Sequence, residues 1–489
     1  MIGFSDHFSY YRSIISYTLF NQTMYTQLNQ DRDNLSSILD ITKKQSLDFL
    51  SQLPNRSTVT NISTIEASVL PEEGLGTLAT LNMFNDNIEK LMVASAGPRY
   101  LGFVTGGTTP AALVGDWLVS IYDQNTQSVR GNGDVSAQIE LNTIKLILEL
   151  LNLPHVYMGG FVTGATMSNF TCLAVARQWL GKQLSQNVAL HGVTQSYKII
   201  AATPHSSSIK CLSMLGIGSS NILMLDTISE DRESIDVQLL EEQLIALNGE
   251  PALLISSGGT VNTVDFDDMH AISLLKRKYN FWWHIDAAFG AFAACTSEYA
   301  YLLKGWELAD SITIDCHKWL NVPYDSGVFL IREEHRYLQV ETFQNSNAPY
   351  LGDPLENFSY LNFLPENSRR MRALPAWFTL MAYGKMGYQE IVLRSIANAR
   401  LLGQKIQSTE DFILLAPVRL NTVCFTLANN DDPSKLQQFL HRLTASGKVF
   451  MTPTVYKGKM CIRAAFVNWR TTEKDVALIF DTMKSLIVK

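Results

Sequence analysis

The chain has 489 residues, 46% of them apolar, and a formal net charge of −7. That length predicts two or three domains around a large buried core, and the acidic balance leaves no basic excess to neutralise a nucleic-acid backbone. Six scattered cysteines with no Cys-x-x-Cys pair argue against a disulfide framework and a thiolate metal cluster, and read as reduced thiols of a cytoplasmic protein.

Residues 1–97 read as a helical N-terminal arm. The first eight residues mix polar with apolar side chains and lack the basic and apolar regions of a signal peptide. Leu78, Leu81, Phe84, Ile88 and Leu91 recur at three- and four-residue spacings, and Ala96-Gly97-Pro98 stops that helix. The arm is too short and too polar for a core of its own, so it is expected to pack on something else, a second subunit being the candidate.

Across residues 98–375 short apolar runs alternate with amphipathic stretches. Residues 198–202, 221–225, 252–256, 282–286 and 311–315 are predicted strands, with helices over 205–215, 237–247 and 268–278. Such alternation implies a mostly parallel sheet flanked by helices, with ligands beyond the carboxyl ends of the strands. Residues 344–368, rich in Asn, Pro and Ser, read as a long mobile loop. Residues 376–489 read as a smaller α+β domain: a long helix over 376–407, strands over 423–427 and 459–466, and a last helix from near Thr471. No uninterrupted apolar stretch reaches the length of a bilayer span, so no membrane partner is expected.

Two of the predicted strands end in charged groups, His284-Ile-Asp286-Ala-Ala288 and Asp315-Cys-His317-Lys318-Trp319. An amine and a carboxylate delivered in this way match the needs of pyridoxal 5′-phosphate. The amine forms a Schiff base with the aldehyde, and the carboxylate keeps the pyridine nitrogen protonated. The alternative is a buried Lys–Asp ion pair, which costs desolvation. The small-residue run from Gly159 to Asn169 reads as a loop ahead of a helix, whose free N–H groups, with the Thr166 hydroxyl, would cradle a phosphate; plain close packing is the competing explanation. His205 opens a predicted helix, either as an ordinary helix-start residue or with its ring laid on the pyridine. Arg463 reads as a structural arginine on a strand rather than a carboxylate clamp. Nothing in the histidine and cysteine spacing calls for a metal.

The ordered set Phe103-Val-Thr105-Gly-Gly-Thr-Thr-Pro110, Thr163-Gly-Ala-Thr-Met-Ser-Asn169, His205-Ser-Ser, Gly259-Thr260, the two strand-end motifs, Ala309-Asp310-Ser311, Tyr350 and Arg369-Arg370 resembles the group II pyridoxal phosphate-dependent amino-acid decarboxylases. That family includes the aromatic L-amino-acid, glutamate and diaminobutyrate decarboxylases, and the resemblance runs from about residue 98 to the C-terminus. It implies the fold type I of pyridoxal phosphate-dependent transferases: an α/β large domain with a mostly parallel sheet flanked by helices, a small α+β C-terminal domain and a helical N-terminal arm. Carried over by residue, Lys318 is the Schiff-base lysine, Asp286 pairs with the pyridine nitrogen, and His205 and Ala288 sandwich the ring. Ala165 and Thr166 hold the phosphate, Thr260 is a further cofactor contact, and His317 lies near phosphate or substrate. Thr105, with Phe103, faces the substrate near its carboxylate, and Tyr350 on the mobile loop serves proton transfer. Where many members have a second threonine after Gly259-Thr260, this chain has Val261, so one hydrogen bond of the pattern is missing.

The resemblance implies decarboxylation of an L-amino acid to the amine and CO2 by a homodimer with a shared active site. The competing functions are an aldehyde synthase or carbon–carbon lyase on the same scaffold, an aminotransferase, and a pyridoxal phosphate-binding protein without activity. With no Arg or Lys placed to receive an acidic side chain, an aromatic or other apolar substrate is favoured.

Overall fold

Runs such as Ala252–Ser257 and Phe281–Asp286 offer no polar face to water, so they belong inside a sheet covered on both sides. The computed structural model describes the chain apart from residues 1–24, 61–64, 66–67, 130–132, 230, 345–352, 429–431 and 488–489. It divides into two compact units, Met1–Ala94 and Ser95–Lys489.

The larger unit is built on a seven-stranded sheet of β1 (Tyr157–Val162), β2 (Lys198–Ala201), β3 (Ile222–Met224), β4 (Ala252–Ser257), β5 (Phe281–Asp286), β6 (Ser311–Asp315) and β7 (Gly327–Arg332), in the order β1-β7-β6-β5-β4-β2-β3. The strands from β3 to β6 pair in parallel, and β7 runs antiparallel to both its neighbours. The period of two along each strand sorts side chains between two apolar layers. Ile199, Leu253, Trp282 and Phe329 enter one layer, while Ile200, Leu254, Trp283 and Leu330 enter the other. The helix Ala165–Gln183 is buried around most of its circumference in the first of these layers, so it shows little amphipathic pattern.

A second, antiparallel sheet combines β8 (Phe412–Leu414), β9 (Thr422–Leu427), β10 (Thr452–Tyr456) and β11 (Lys459–Ala465) in the order β10-β11-β9-β8. Phe425, Ile462 and Ala464 join Leu436, Phe439 and Ile479 of the helices Pro433–Ala445 and Glu473–Ser485 in its core. The helix Ala373–Gln407 runs through residue 375, where the sequence pattern suggested a division, and breaks its helical geometry at Gly384, whose φ is +56°. In the smaller unit the described residues form the helices Thr26–Asp33, Leu35–Gln52 and Thr77–Asn87, with the Arg56 guanidinium over the Phe49 ring and 2.9 Å from Glu89. Among the described residues no helix is long and apolar enough to cross a membrane.

One expectation is overturned. Gly159 and Gly160 lie within β1 and not in a loop. A Cβ at Gly159 would stand 2.6 Å from the Phe329 carbonyl oxygen, and one at Gly160 would stand 2.9 Å from the rings of Phe329 and Tyr360. These glycines let β1 close on β7 and Tyr360; the turn towards the next helix is left to Thr163 and Gly164.

An ion pair with no solvent exposure joins the edge of this sheet to its surroundings. Arg369 Nη2 lies 2.6 Å from Glu140 Oε1 and donates to the Phe161 carbonyl at 2.6 Å, while the Phe161 amide donates to the same Glu140 oxygen at 2.7 Å. The guanidinium also stacks on Tyr360 at 4.5 Å from the ring centroid. Removing one member strands the other charge in the core. Arg369→Met is therefore expected to lower the unfolding free energy by about 3–5 kcal/mol, read from urea denaturation; a loss under about 1 kcal/mol would be the size of a surface pair and would contradict this account.

Candidate active site

Beyond the carboxyl ends of β4, β5 and β6 lies a cavity of about 300 Å³. Lys318, Asp286, Ala288, His205, Ala165 and Thr260 all line it. Strand register accounts for the convergence: Asp286 ends β5 opposite Ser257 of β4 and Thr313 of β6, and Lys318 follows three residues after the end of β6.

Lys318 Nζ is 2.9 Å from Asp315 Oδ2, and His317 Nε2 is 3.5 Å from the same oxygen. Burial alone would push the Asp315 carboxyl upward, but the Lys318 charge and the His317 contact outweigh it and hold the group down at about 2. The turn that carries the lysine is locked from above by the segment before the helix Pro110–Tyr122. The Gly106 amide donates to the His317 carbonyl at 3.2 Å, and a Cβ at Gly106 would collide with the Lys318 carbonyl.

Asp286 is held by a buried relay. Its Oδ2 accepts from Asn169 Nδ2 at 2.9 Å and from the Ser208 hydroxyl at 3.4 Å, and its Oδ1 accepts from the Ala288 amide at 3.2 Å. Asn169 Oδ1 lies 2.9 Å from His284 Nε2, and His284 Nδ1 lies 2.9 Å from the Ser311 hydroxyl. The Trp282 indole N–H donates to Ser311 Oγ at 2.9 Å, so the serine proton turns to His284 Nδ1. The network thereby assigns a neutral His284 that carries its proton on Nε2. Burial drives its imidazole down to about 4, against the opposing pull of the Asp286 carboxylate.

His205 is both things the sequence allowed. It caps the helix Ser206–Met214, Nδ1 accepting from the Ser207 amide at 3.2 Å, and its ring lines the cavity. Burial lowers its basicity, with Asp286 opposing and Lys318 and Arg463 adding to the effect. The helix Ala165–Gln183 begins at the cavity wall with no side chain capping its N-terminus, which leaves first-turn N–H groups and the positive end of the helix for an anion.

Other predicted residues stand apart from the cavity lining. Thr166 is exposed, and its carbonyl accepts from Cys211 Sγ at 3.2 Å. The His317 ring stacks on Tyr324 at 4.3 Å, and its Nδ1 accepts from the Ser326 amide. Thr105 is buried 3.4 Å from the Tyr324 hydroxyl, and Phe103 is 63% exposed; Val104, between them, is the residue that lines the cavity. Tyr350 lies outside the described residues. Arg463 donates to the Val261 carbonyl at 3.0 Å and does not line the cavity. Sequence reasoning missed Glu233, which lines the cavity from a loop with no motif, and Asn169, which stood inside a quoted motif with no role.

His284 generates a pH signature. Its folded value lies below the 6.5 of an unperturbed histidine, so the stability gained by keeping it neutral is complete above 6.5 and drains away as pH falls towards 4. The unfolding free energy is expected to drop over that interval by on the order of 3 kcal/mol from this group, seen as a falling urea midpoint. His284→Phe should flatten that slope; an undiminished slope would remove His284 as its source.

Residues 65–428 match the family described as the pyridoxal-dependent decarboxylase conserved domain. The aromatic-L-amino-acid decarboxylase of Bacillus atrophaeus is 29% identical over 431 residues, covering 85% of this chain and 87% of that protein. The L-2,4-diaminobutyrate decarboxylase of Rhizobium meliloti is 26% identical over 426 residues, covering 85% and 83%. Among solved structures, Oryza sativa TDC with PLP and tryptamine superposes with a TM-score of 0.84 at 21% identity, covering 93% of this chain and 99% of that one, a likeness of fold.

Proposed function

The chain belongs to the pyridoxal-dependent decarboxylase family, and from that premise we propose that it removes the α-carboxylate of an L-amino acid as CO2 and releases the amine. The cofactor is pyridoxal 5′-phosphate. The donor set fits that group: an amine and a carboxylate stand on different strand ends of one cavity, the small Ala288 leaves room for a flat ring, and an uncapped helix start faces the same space. When bound, the cofactor supplies an electron sink for the pair released as the Cα–carboxylate bond breaks.

In this reading the residues of the chain bind and orient. Lys318 offers Nζ to the aldehyde carbon, and Asp315, 2.9 Å away, keeps that amine at the cavity wall. Asp286 receives the pyridine nitrogen, fixed for it by Asn169, Ser208 and the Ala288 amide. His205 and Ala288 flank the ring, and the first turn of the helix Ala165–Gln183, with Thr166, takes the phosphate. Thr105 and Phe103 are assigned to the substrate end beside Val104. Tyr350 is assigned the proton delivered to Cα, on the likeness of Ala348-Pro349-Tyr350-Leu351 to the family's loop.

The observation that carries the proposal is that Lys318 and Asp286 line the same cavity. Lys318→Ala should abolish both the visible absorbance of the Schiff base between Lys318 and the cofactor and CO2 release across a panel of the twenty amino acids. Turnover that survives would remove Lys318 from its role. Tyr350→Phe should lower amine formation roughly 10²-fold or more and, with dissolved O2 as the oxidant, divert product to the aldehyde with ammonia and hydrogen peroxide, whereas unchanged amine output would exclude that tyrosine.

The reading includes a cytoplasmic homodimer. The helix Pro110–Tyr122 supports the pairing, because Leu113, Val114, Trp117 and Ile121 stand exposed at helical spacing. Light scattering should return about twice the chain mass of 54.7 kDa; a mass near one chain would refute the dimer.

A further inference from the structure

Glu233 holds a charge that the roles above leave unanswered. It is 7% exposed and lines the cavity. Its Oε2 accepts from the hydroxyls of Thr260 and Thr263, each at 2.6 Å, while its Oε1 has a single long contact, Asn262 Nδ2 at 3.4 Å. The Thr260 oxygen accepts from the Asp265 amide at 3.0 Å, which directs its own proton onto Glu233. The hydroxyl-rich segment after β4 is thus turned towards this carboxylate, and Val261, the departure from the family pattern, sits between two of the donors.

Among the described residues no cation pairs with Glu233. Arg232, its neighbour in the chain, is bidentate on Asp265 at 2.7 and 2.9 Å. Arg419 is engaged with Asp231 and Asp265 and Lys318 with Asp315, while Arg463, whose guanidinium reaches only the neutral Val261 carbonyl and Thr452 hydroxyl, makes no contact with Glu233. Among the described residues, the ionisable groups that line the cavity are His205, Glu233, Asp286 and Lys318. Lys318 and Asp286 have partners in the proposed reaction, burial disfavours the charged form of His205, and an amino-acid substrate brings a carboxylate of its own. What the Glu233 carboxylate lacks at hydrogen-bonding distance is a positive charge.

We propose that Glu233 determines specificity and that the substrate is an L-amino acid whose side chain ends in a cationic group. The inference rests on the decarboxylase reading and adds the substrate class to it. An apolar side chain would desolvate Glu233 and leave it without a counter-charge, whereas an ammonium or guanidinium supplies a charge-assisted hydrogen bond to the under-used Oε1. The earlier expectation of an aromatic substrate came from the lack of a basic residue. That lack argues against acidic side chains and says nothing against basic ones.

The test sets L-ornithine against L-norvaline and L-2,4-diaminobutyrate against L-2-aminobutyrate, pairs that differ by the terminal ammonium, with L-phenylalanine alongside. It uses the holoenzyme and Glu233→Gln, which keeps an oxygen for Thr260 and Thr263. The wild type is expected to favour at least one cationic member about tenfold or more in kcat/KM, and Glu233→Gln to bring that ratio close to unity. Calorimetric binding of 1,4-diaminobutane and butylamine to both proteins reads the same preference without turnover, again about tenfold in Kd and lost in the variant. CO2 release that favours norvaline, 2-aminobutyrate or phenylalanine over the cationic substrates overturns the role of Glu233 and leaves the decarboxylase reading standing. If no amino acid on the panel releases CO2, that reading falls, and the diamine comparison alone decides: a preference that Glu233→Gln abolishes supports the site, and equal binding of diamine and monoamine overturns it.

Discussion

The cavity depends on a carboxylate that cannot turn. Asp286 sits at the end of a fully buried strand, where a free rotor would carry a charge into apolar surroundings, and the relay through Asn169, His284 and Ser311 holds it in one orientation. Every member of that relay comes from a different part of the chain: the helix after β1, β5 itself, and the first residue of β6. The geometry proposed to meet a ring nitrogen is therefore a property of two adjacent strands and a helix, not of the two-residue spacing between His284 and Asp286. A neutral histidine is what lets the relay sit in the core, since a charged one would add a desolvated cation beside Trp282 and Ser311.

Charge balance organises the rest of the site. Lys318 is matched by Asp315, the deep Arg369 by Glu140, and Arg232 by Asp265, so each of these cations has a carboxylate at hydrogen-bonding distance. The Glu233 carboxylate, by contrast, meets only hydroxyls and an amide. In the proposed specificity, the same low dielectric that tightens the other pairs would make this carboxylate a selector of what enters the cavity.

Much of this was legible beforehand, and the reasons are specific. The strands β2, β4, β5 and β6 announce themselves because parallel strands buried on both faces are continuous apolar runs; Asp286 ends β5, and Lys318 follows β6 by three residues. β1 and β7 were not picked out: Gly159 and Gly160 carry no β signal, and their place in a strand follows from contact with Phe329, Leu330 and Tyr360, which are about 170 to 200 residues away in the chain. His205 was ambiguous in the sequence because one residue serves two purposes, helix cap and cavity wall. Thr105 and Phe103 were placed one residue to either side of the position that faces the cavity, since a loop with φ of +53° at Phe103 and +60° at Val104 has no period from which to read direction.

Sequence alone determined the class of sheet and singled out the strand ends with the candidate amine and carboxylate, because hydrophobic period and local motifs are short-range properties. The tertiary structure decided which of those groups share a cavity, which neighbour holds each one, and that Glu233 pairs with no cation among the described residues. Those outcomes depend on strand register and on loops packed across long sequence separations, where a side chain's surroundings are set by residues that no local pattern connects to it.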